Sequence, residues 1–139
     1  MPTPTSETGW GITENANQPI IEKAVQSVAT FGTAGVLTTQ VGVGRFLFPL
    51  SAKIVSAIMA VNTAPTGASI ICDVNKNGTT IFTTQANRPA IAATSFASSA
   101  AVPDVTTFAI GDYLTVDIDQ VGSTIAGADL VLQVLYVFA

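Results

Sequence analysis

Two stretches near the end of the chain alternate in residue type with a period of two, and that period admits only one kind of element. From Tyr113 to Asp119, Leu114, Val116 and Ile118 interleave with Thr115, Asp117 and Asp119. From Leu130 to Phe138, Leu130, Leu132, Val134, Tyr136 and Phe138 interleave with Val131, Leu135 and Val137. Successive side chains of a β-strand point to opposite faces, whereas a helix would scatter both sets around its circumference. The first stretch therefore reads as a strand with one apolar and one wet face. The second is apolar on both faces, so it belongs in the middle of a sheet or against a neighbour.

The same rule organises the rest of the chain. Val25, Ser27, Ala29 and Phe31 alternate with Gln26, Val28 and Thr30, as a strand or a short helix. Residues 32–44 are glycine-rich and read as loop, with a strand at Val36–Val41. Arg45–Leu50 and Ser51–Asn62 are extended runs separated at Pro49. In the second run Ile54, Ser56, Ile58, Ala60 and Asn62 share one face, and Lys53, Val55, Ala57, Met59 and Val61 share the other. Both faces are mostly apolar, which implies burial on both sides. Ala64-Pro65-Thr66-Gly67 is a turn. Ile70, Cys72 and Val74 then oppose Ile71, Asp73 and Asn75, and Asn77-Gly78 follows. Asn-Gly between strand-like runs marks a type I′ hairpin, because both residues accept positive φ. A two-residue turn there sets Val74 opposite Ile81 and Cys72 opposite Thr83. Gln85–Asp104, broken by Pro89 and Pro103, reads as a loop with one short strand, and Gly122–Gly127 as a turn.

Seven or eight strands at this spacing make an all-β, antiparallel β-sandwich, read as a jelly roll rather than a barrel. It covers residues 23–139. Residues 1–22 differ: Pro2, Pro4, Gly9, Gly11 and Pro19 lie among polar residues, as in an extended N-terminal arm.

Composition adds what such a sandwich must do with its surface. Charged residues make up 10% of the chain and hydrophobic ones 48%, against about 25% charged in a typical soluble domain. Permanent interfaces are apolar and poor in charge, so an assembly component fits this composition better than a lone monomer. The net charge is −4, and the five cations Lys23, Arg45, Lys53, Lys76 and Arg88 are isolated from one another. A nucleic-acid partner needs a basic patch, so none is expected. The polar start of the chain does not read as a secretory signal, and no apolar run is long enough for a membrane helix. The product is expected to stay in the cytoplasm of the producing cell unless a particle carries it out.

Catalytic chemistry is poorly supplied. Histidine is absent, which removes the commonest general base and metal ligand. Cys72, the only cysteine, sits in an apolar run and reads as a small packed hydrophobe. Asp117 and Asp119 lie on one strand face about 7 Å apart, a spacing that suits paired carboxylates, but no aromatic cluster marks a sugar subsite beside them. Asp73-Val74-Asn75-Lys76-Asn77-Gly78 matches the first half of a calcium loop, with Asp73, Asn75 and Asn77 as candidate ligands. The twelfth loop position, however, is Thr84 rather than a bidentate Glu, and strand–turn–strand accounts for the same residues. Asn77-Gly78-Thr79 also matches a glycosylation acceptor, which needs a secreted context. No cofactor motif is present.

The second half carries a resemblance as well. The series runs Val61-Asn62-Thr63-Ala64-Pro65-Thr66-Gly67-Ala68-Ser69, Asp73–Phe82, Arg88-Pro89, Phe108–Ser123 with its Gly111-Asp112-Tyr113 turn, and Gly127-Ala128-Asp129-Leu130. It resembles a module of tailed-phage and prophage virion structural proteins, both head-decorating and tail-fibre types. The resemblance implies a jelly-roll-like sandwich that trimerises, and it transfers no catalytic residues. The expected function is a non-enzymatic capsid cement or decoration protein, a homotrimer in the virion that is assembled in the host cytoplasm and bridges major capsid protein subunits. The alternative is a tail-fibre or receptor-binding tip that recognises a host glycan. A third reading is a free carbohydrate-binding module or hydrolase fragment. Trp10, Ile12, Ile20 and Ile21 of the arm, with Met59, Val131, Leu135 and Val137 of the two-faced strands, are the expected interface residues.

Overall fold

The computed structural model describes residues 26–139. The expected arm, with Trp10, Ile12, Ile20 and Ile21, lies outside the described residues. The described chain forms strands β1 Gln26–Val36, β2 Gln40–Leu47, β3 Ala52–Ala60, β4 Ile70–Lys76, β5 Thr79–Thr80, β6 Ala90–Ile91, β7 Thr107–Phe108, β8 Tyr113–Gln120 and β9 Ala128–Phe138, with one 3-10 turn at Gln85–Asn87. One sheet has the order β1-β9-β3-β7. The other has the order β2-β8-β4-β5, with β6 also on β4. All pairings are antiparallel.

The pairings nest. β1 pairs with β9, β2 with β8, β3 with β7, and β4 with β5. A single long hairpin folded over into two layers produces this nesting, which is the jelly-roll arrangement. The innermost turn is Asn77-Gly78, at φ 51° and 88°. Its register places Lys76 opposite Thr79 and Asn75 opposite Thr80, and the Ile81 N–H donates to the Val74 carbonyl at 2.9 Å. The expected Cys72–Thr83 pair does not form. The chain leaves the ladder after Ile81, and the Cys72 N–H donates to the Pro89 carbonyl instead.

Between the sheets lie the alternating residues that the sequence sorts. Leu114, Val116 and Ile118 of β8 face Leu130, Leu132, Val134 and Tyr136 of β9 across a core closed by Phe48, Phe82 and Phe108. β9 is central in its sheet, as its two apolar faces imply. At one end of the core Phe48 packs on Phe46, Phe108 and Tyr136 with ring centroids 4.9–5.1 Å apart, spacings at which aromatic pairs gain beyond area burial.

Three local expectations are corrected. The span Gly32–Gly44 is mostly strand, and the single strand expected at Val36–Val41 is broken at residues 37–39, the corner between β1 and β2. Gly42 and Gly44 adopt φ 72° and 67° inside β2, where its register to β8 shifts twice. Such shifts accompany bulges that bend an edge strand, so the glycines punctuate a strand rather than replace one. β7 had no sequence signal; its two residues are held mainly by pairing Phe108 with Ala52. In β3 the inward set switches part-way. Ser56 pairs with Leu135 and Ile54 with Tyr136, leaving Val55 as an extra residue. Ala52 and Ile54 are buried before this bulge, and Ala57, Met59 and Val61 after it. Met59, expected at an interface, is therefore 1% exposed and part of the core.

Candidate functional site

The two sheets turn opposite characters outward. On the outer face of β1-β9-β3, cross-strand rows can be followed from the register. Gly32, Val131 and Ala60 form the first row. Thr30, Gln133 and Ile58 form the next, then Val28, Leu135 and Ser56, and last Gln26, Val137 and Lys53. Val28 is 48% exposed, Ile58 41%, Val131 39% and the bulged Val55 37%. Leu135 and Val137 are half-buried by their neighbours. Lys53 is the only charge in these rows. Soluble surfaces carry scattered apolar residues, but contiguous apolar patches mark contact surfaces.

Val131, Leu135 and Val137, named from sequence, sit together on this face. Val28, Val55 and Ile58 were missed as partners. The alternation in Gln26–Phe31 held the signal for Val28. The bulge hid Val55 and Ile58, because a one-residue offset exchanges the two faces of a strand.

The outer face of the other sheet carries Leu47, 59% exposed, beside charged groups that are engaged internally. Asp73 of β4 lies opposite Asp117 of β8. The buried Asp73 carboxylate accepts from Thr80 Oγ1 at 2.6 Å and from Gln85 Nε2 at 3.2 Å. Asp117 accepts the Gly42 N–H at 2.8 Å. Asp119 pairs with Arg88 at 2.6 Å. Arg45 lies 4.1 Å from the Tyr113 ring centroid. Both carboxylates of the sequence-noted Asp117/Asp119 pair are thus engaged by protein groups.

The candidate calcium ligands are separated in the same way. Asp73 and Asn75 lie along β4, whereas Asn77 turns away in the hairpin. Its Nδ2 donates to Asp112 at 2.9 Å and its Oδ1 accepts the Tyr113 N–H at 3.0 Å. Among the described residues no three Cys, Asp or Glu side chains gather as a metal site. Cys72 is fully buried, and burial, reinforced by Asp119, Asp117 and Asp73, pushes its thiol up to about 12. A nucleophile needs the thiolate, so this sulfur is a packing group. No helix among the described residues is long and apolar enough to cross a membrane.

No protein-family model matches the sequence, and no curated protein matches it. Among solved structures, the chain is similar in outline to a chain of the cyanophage Pam1 capsid asymmetric unit. The overlap covers 82% of this chain and 85% of that one, at 13% identity and a TM-score of 0.48. A chain of the capsid of Ralstonia phage GP4 overlaps over 84% of this chain and 86% of its own length, at 19% identity and a TM-score of 0.47. Both scores fall short of establishing a shared fold.

Proposed function

We propose that this chain is a non-enzymatic structural protein of a bacteriophage virion, a cement or decoration protein that bridges major capsid protein subunits as a homotrimer. The observation that carries the reading is the apolar outer face of β1-β9-β3, with one lysine and no carboxylate in its rows. A face of this kind needs permanent cover. Each half-exposed Val, Ile or Leu on it adds about 1 kcal/mol when buried, and the gain is repeated at every copy around a shell. The resemblance of residues 61–139 to phage virion modules supports the same reading, and the charge-poor composition supports assembly in general. The arm, residues 1–22, would add further contacts with the shell. The packing role of Cys72 and the engagement of the Asp117 and Asp119 carboxylates by protein groups support a structural role.

Cryo-electron microscopy of the virion tests this. The expected result is threefold density for the sandwich on the head, with the β1-β9-β3 face against a neighbour. Density confined to the tail would sink the cement reading. Specific binding of the purified protein on a glycan array would move it to a receptor-binding tip.

A further inference from the structure

The apolar outer face is graded along its strands in both size and charge. At one end, the row Gly32–Val131–Ala60 flanks its valine with small residues, and an open groove of about 560 Å³ lies over them. Nothing in β1 itself requires a glycine at position 32. Its φ is outside the left-handed region, and an added Cβ would lie 3.6 Å from the Leu130 carbonyl oxygen, an ordinary contact. Glycine in a strand interior often marks a place where a ligand or another backbone approaches closely. One row further out stands Asp129, whose Oδ2 receives only a long 3.4 Å contact from Asn62 Nδ2. Towards the other end, the row Val28–Leu135–Ser56 is bulkier, with Val55 bulged beside it, and the next row carries Lys53.

Such a face complements a copy of itself turned end for end. The row Thr30–Gln133–Ile58 lies midway between the Asp129 and Lys53 ends. A twofold axis in the plane of contact, running across the strands at this row, sets Val28 and Leu135 of each copy over the Gly32–Val131–Ala60 trough of the other. It also brings Lys53 over Asn62 and within side-chain reach of Asp129, twice in each pair. An axis along the strands would instead set trough against trough, with both lysines at one end and both aspartates at the other. The area is sufficient as well. β7 and the Phe96–Ala101 segment occupy a fourth strand position beside β3. Four positions at about 4.8 Å spacing over about 30 Å present roughly 570 Å² per copy. Two faces then bury on the order of 1,100 Å², which exceeds the ~1,000 Å² of a specific interface but lies below the standard size.

We propose that the outer face of β1-β9-β3 docks the same face of a second copy of this chain, end for end, with Lys53 of each copy against Asp129 of the other. The proposal rests on reading that face as an assembly surface, and it names the occupant. An isologous contact closes on itself and cannot build a trimer, so it would join copies from two neighbouring trimers, a lateral link that reinforces a shell. The small area makes a single pair weak in solution, and repetition over a shell makes the sum strong.

Cys72 is the only native cysteine and is fully buried, so a cysteine introduced on this face is the one reactive thiol. Position-specific cross-linking of the purified full chain at high concentration tests the arrangement, with a bismaleimide that spans about 12 Å, slightly more than the ~10 Å between packed sheets. Ile58→Cys lies on the axis and should give a covalent dimer. Lys53→Cys lies about 27 Å along the strands from its counterpart. It should give no dimer alone, but should link when mixed with Asn62→Cys. If Ile58→Cys fails to fold, Thr30→Cys in the same row carries the same expectation. Adding Lys53→Glu to the axial cysteine should cut the dimer yield several-fold, whereas adding Asp119→Asn should not change it. No dimer from either axial cysteine, or equal yields from Ile58→Cys and Lys53→Cys alone, overturns the proposal, as does a yield indifferent to Lys53→Glu. The face would then serve a different partner. That failure would leave the virion reading standing, since head density is measured independently.

Discussion

Asp112 ties the Asn77 hairpin to the Ala109 loop. Its carboxylate accepts from Asn77 Nδ2 at 2.9 Å and from the Ala109 N–H at 2.8 Å, and Lys76 lies 3.6 Å away. Its own carbonyl accepts the Phe48 N–H. The Asn77 bond, then the Ala109 N–H, then the Lys76 charge hold the Asp112 carboxyl below its ordinary value of 3.8. A folded-state value below the unfolded one adds stability that is fully present above the unfolded value and is lost as pH falls through the folded value. Asp112→Asn should therefore be less stable than the parent at pH 7, and the gap should close as pH falls below about 4. Urea unfolding across that range measures it, and a gap constant with pH would refute the carboxylate's role. Gly111-Asp112-Tyr113 was legible as a turn. Its link to Asn77 was not, because spacing along the chain carries no information about which hairpin a turn will meet. Gly42 and Gly44 separate two further effects. Both have positive φ, but a Cβ on Gly42 meets nothing within 4 Å, whereas one on Gly44 would sit 2.8 Å from Phe31 Cδ2. Gly42→Ala should cost only the backbone term, about 1–2 kcal/mol. Gly44→Ala should cost more, as thermal melts of the pair would show.

At the scale of elements, the long strands were legible and their irregularities were not. β8 and β9 were read with the correct faces because each alternates without interruption through its buried span. The Asn77-Gly78 hairpin was placed correctly because its turn chemistry is local. β3 was read as a strand with two unbroken faces, and the reading that put Met59 at an interface fails after the bulge, since no residue type announces a bulge at Val55. The bulge makes a test of register. Without Val55, Ile54 would directly precede Ser56, and Ala52, Ile54, Ala57, Met59 and Val61 would alternate cleanly inward against an unbroken β9. Deleting Val55 should therefore preserve the sandwich. Deleting Ile58 leaves Ala57 beside Met59, so one half of the strand must turn its buried set to solvent. Loss of Met59 from the core alone costs about 2–5 kcal/mol. Circular dichroism and thermal melts of the two deletions should show the first folded and the second largely unfolded. Equal stability would mean that the bulge does not set the register.

For the whole molecule, the folded-hairpin topology sorts the outward residues into two unlike surfaces. On the face of β2-β8-β4 Asp119 pairs with Arg88 and the Asp73 and Asp117 carboxylates accept hydrogen bonds from neutral groups, while the face of β1-β9-β3 has almost no charge to satisfy. Composition announced that apolar surface had to be covered somewhere. Its location was only half legible, because it depends on β1 and β3 flanking β9, pairings between segments about 70 to 110 residues apart in sequence. The contrast yields a differential test of assembly. Leu135 stands in the middle of the apolar face, between Val28 and Ser56. In the free protein, Leu135→Glu places a carboxylate at a half-exposed position and should leave the fold intact. In an assembled interface the same carboxylate is desolvated without a partner, at a cost of about 3 kcal/mol, or more than a hundredfold in occupancy. Asp119→Asn, on the opposite face, removes only a surface ion pair with Arg88, worth about 0–1 kcal/mol. Particles assembled with each variant should carry normal amounts of the Asp119→Asn protein and little of the Leu135→Glu protein, although both have melting temperatures close to the parent. Normal incorporation of Leu135→Glu would place the contact surface elsewhere on the molecule.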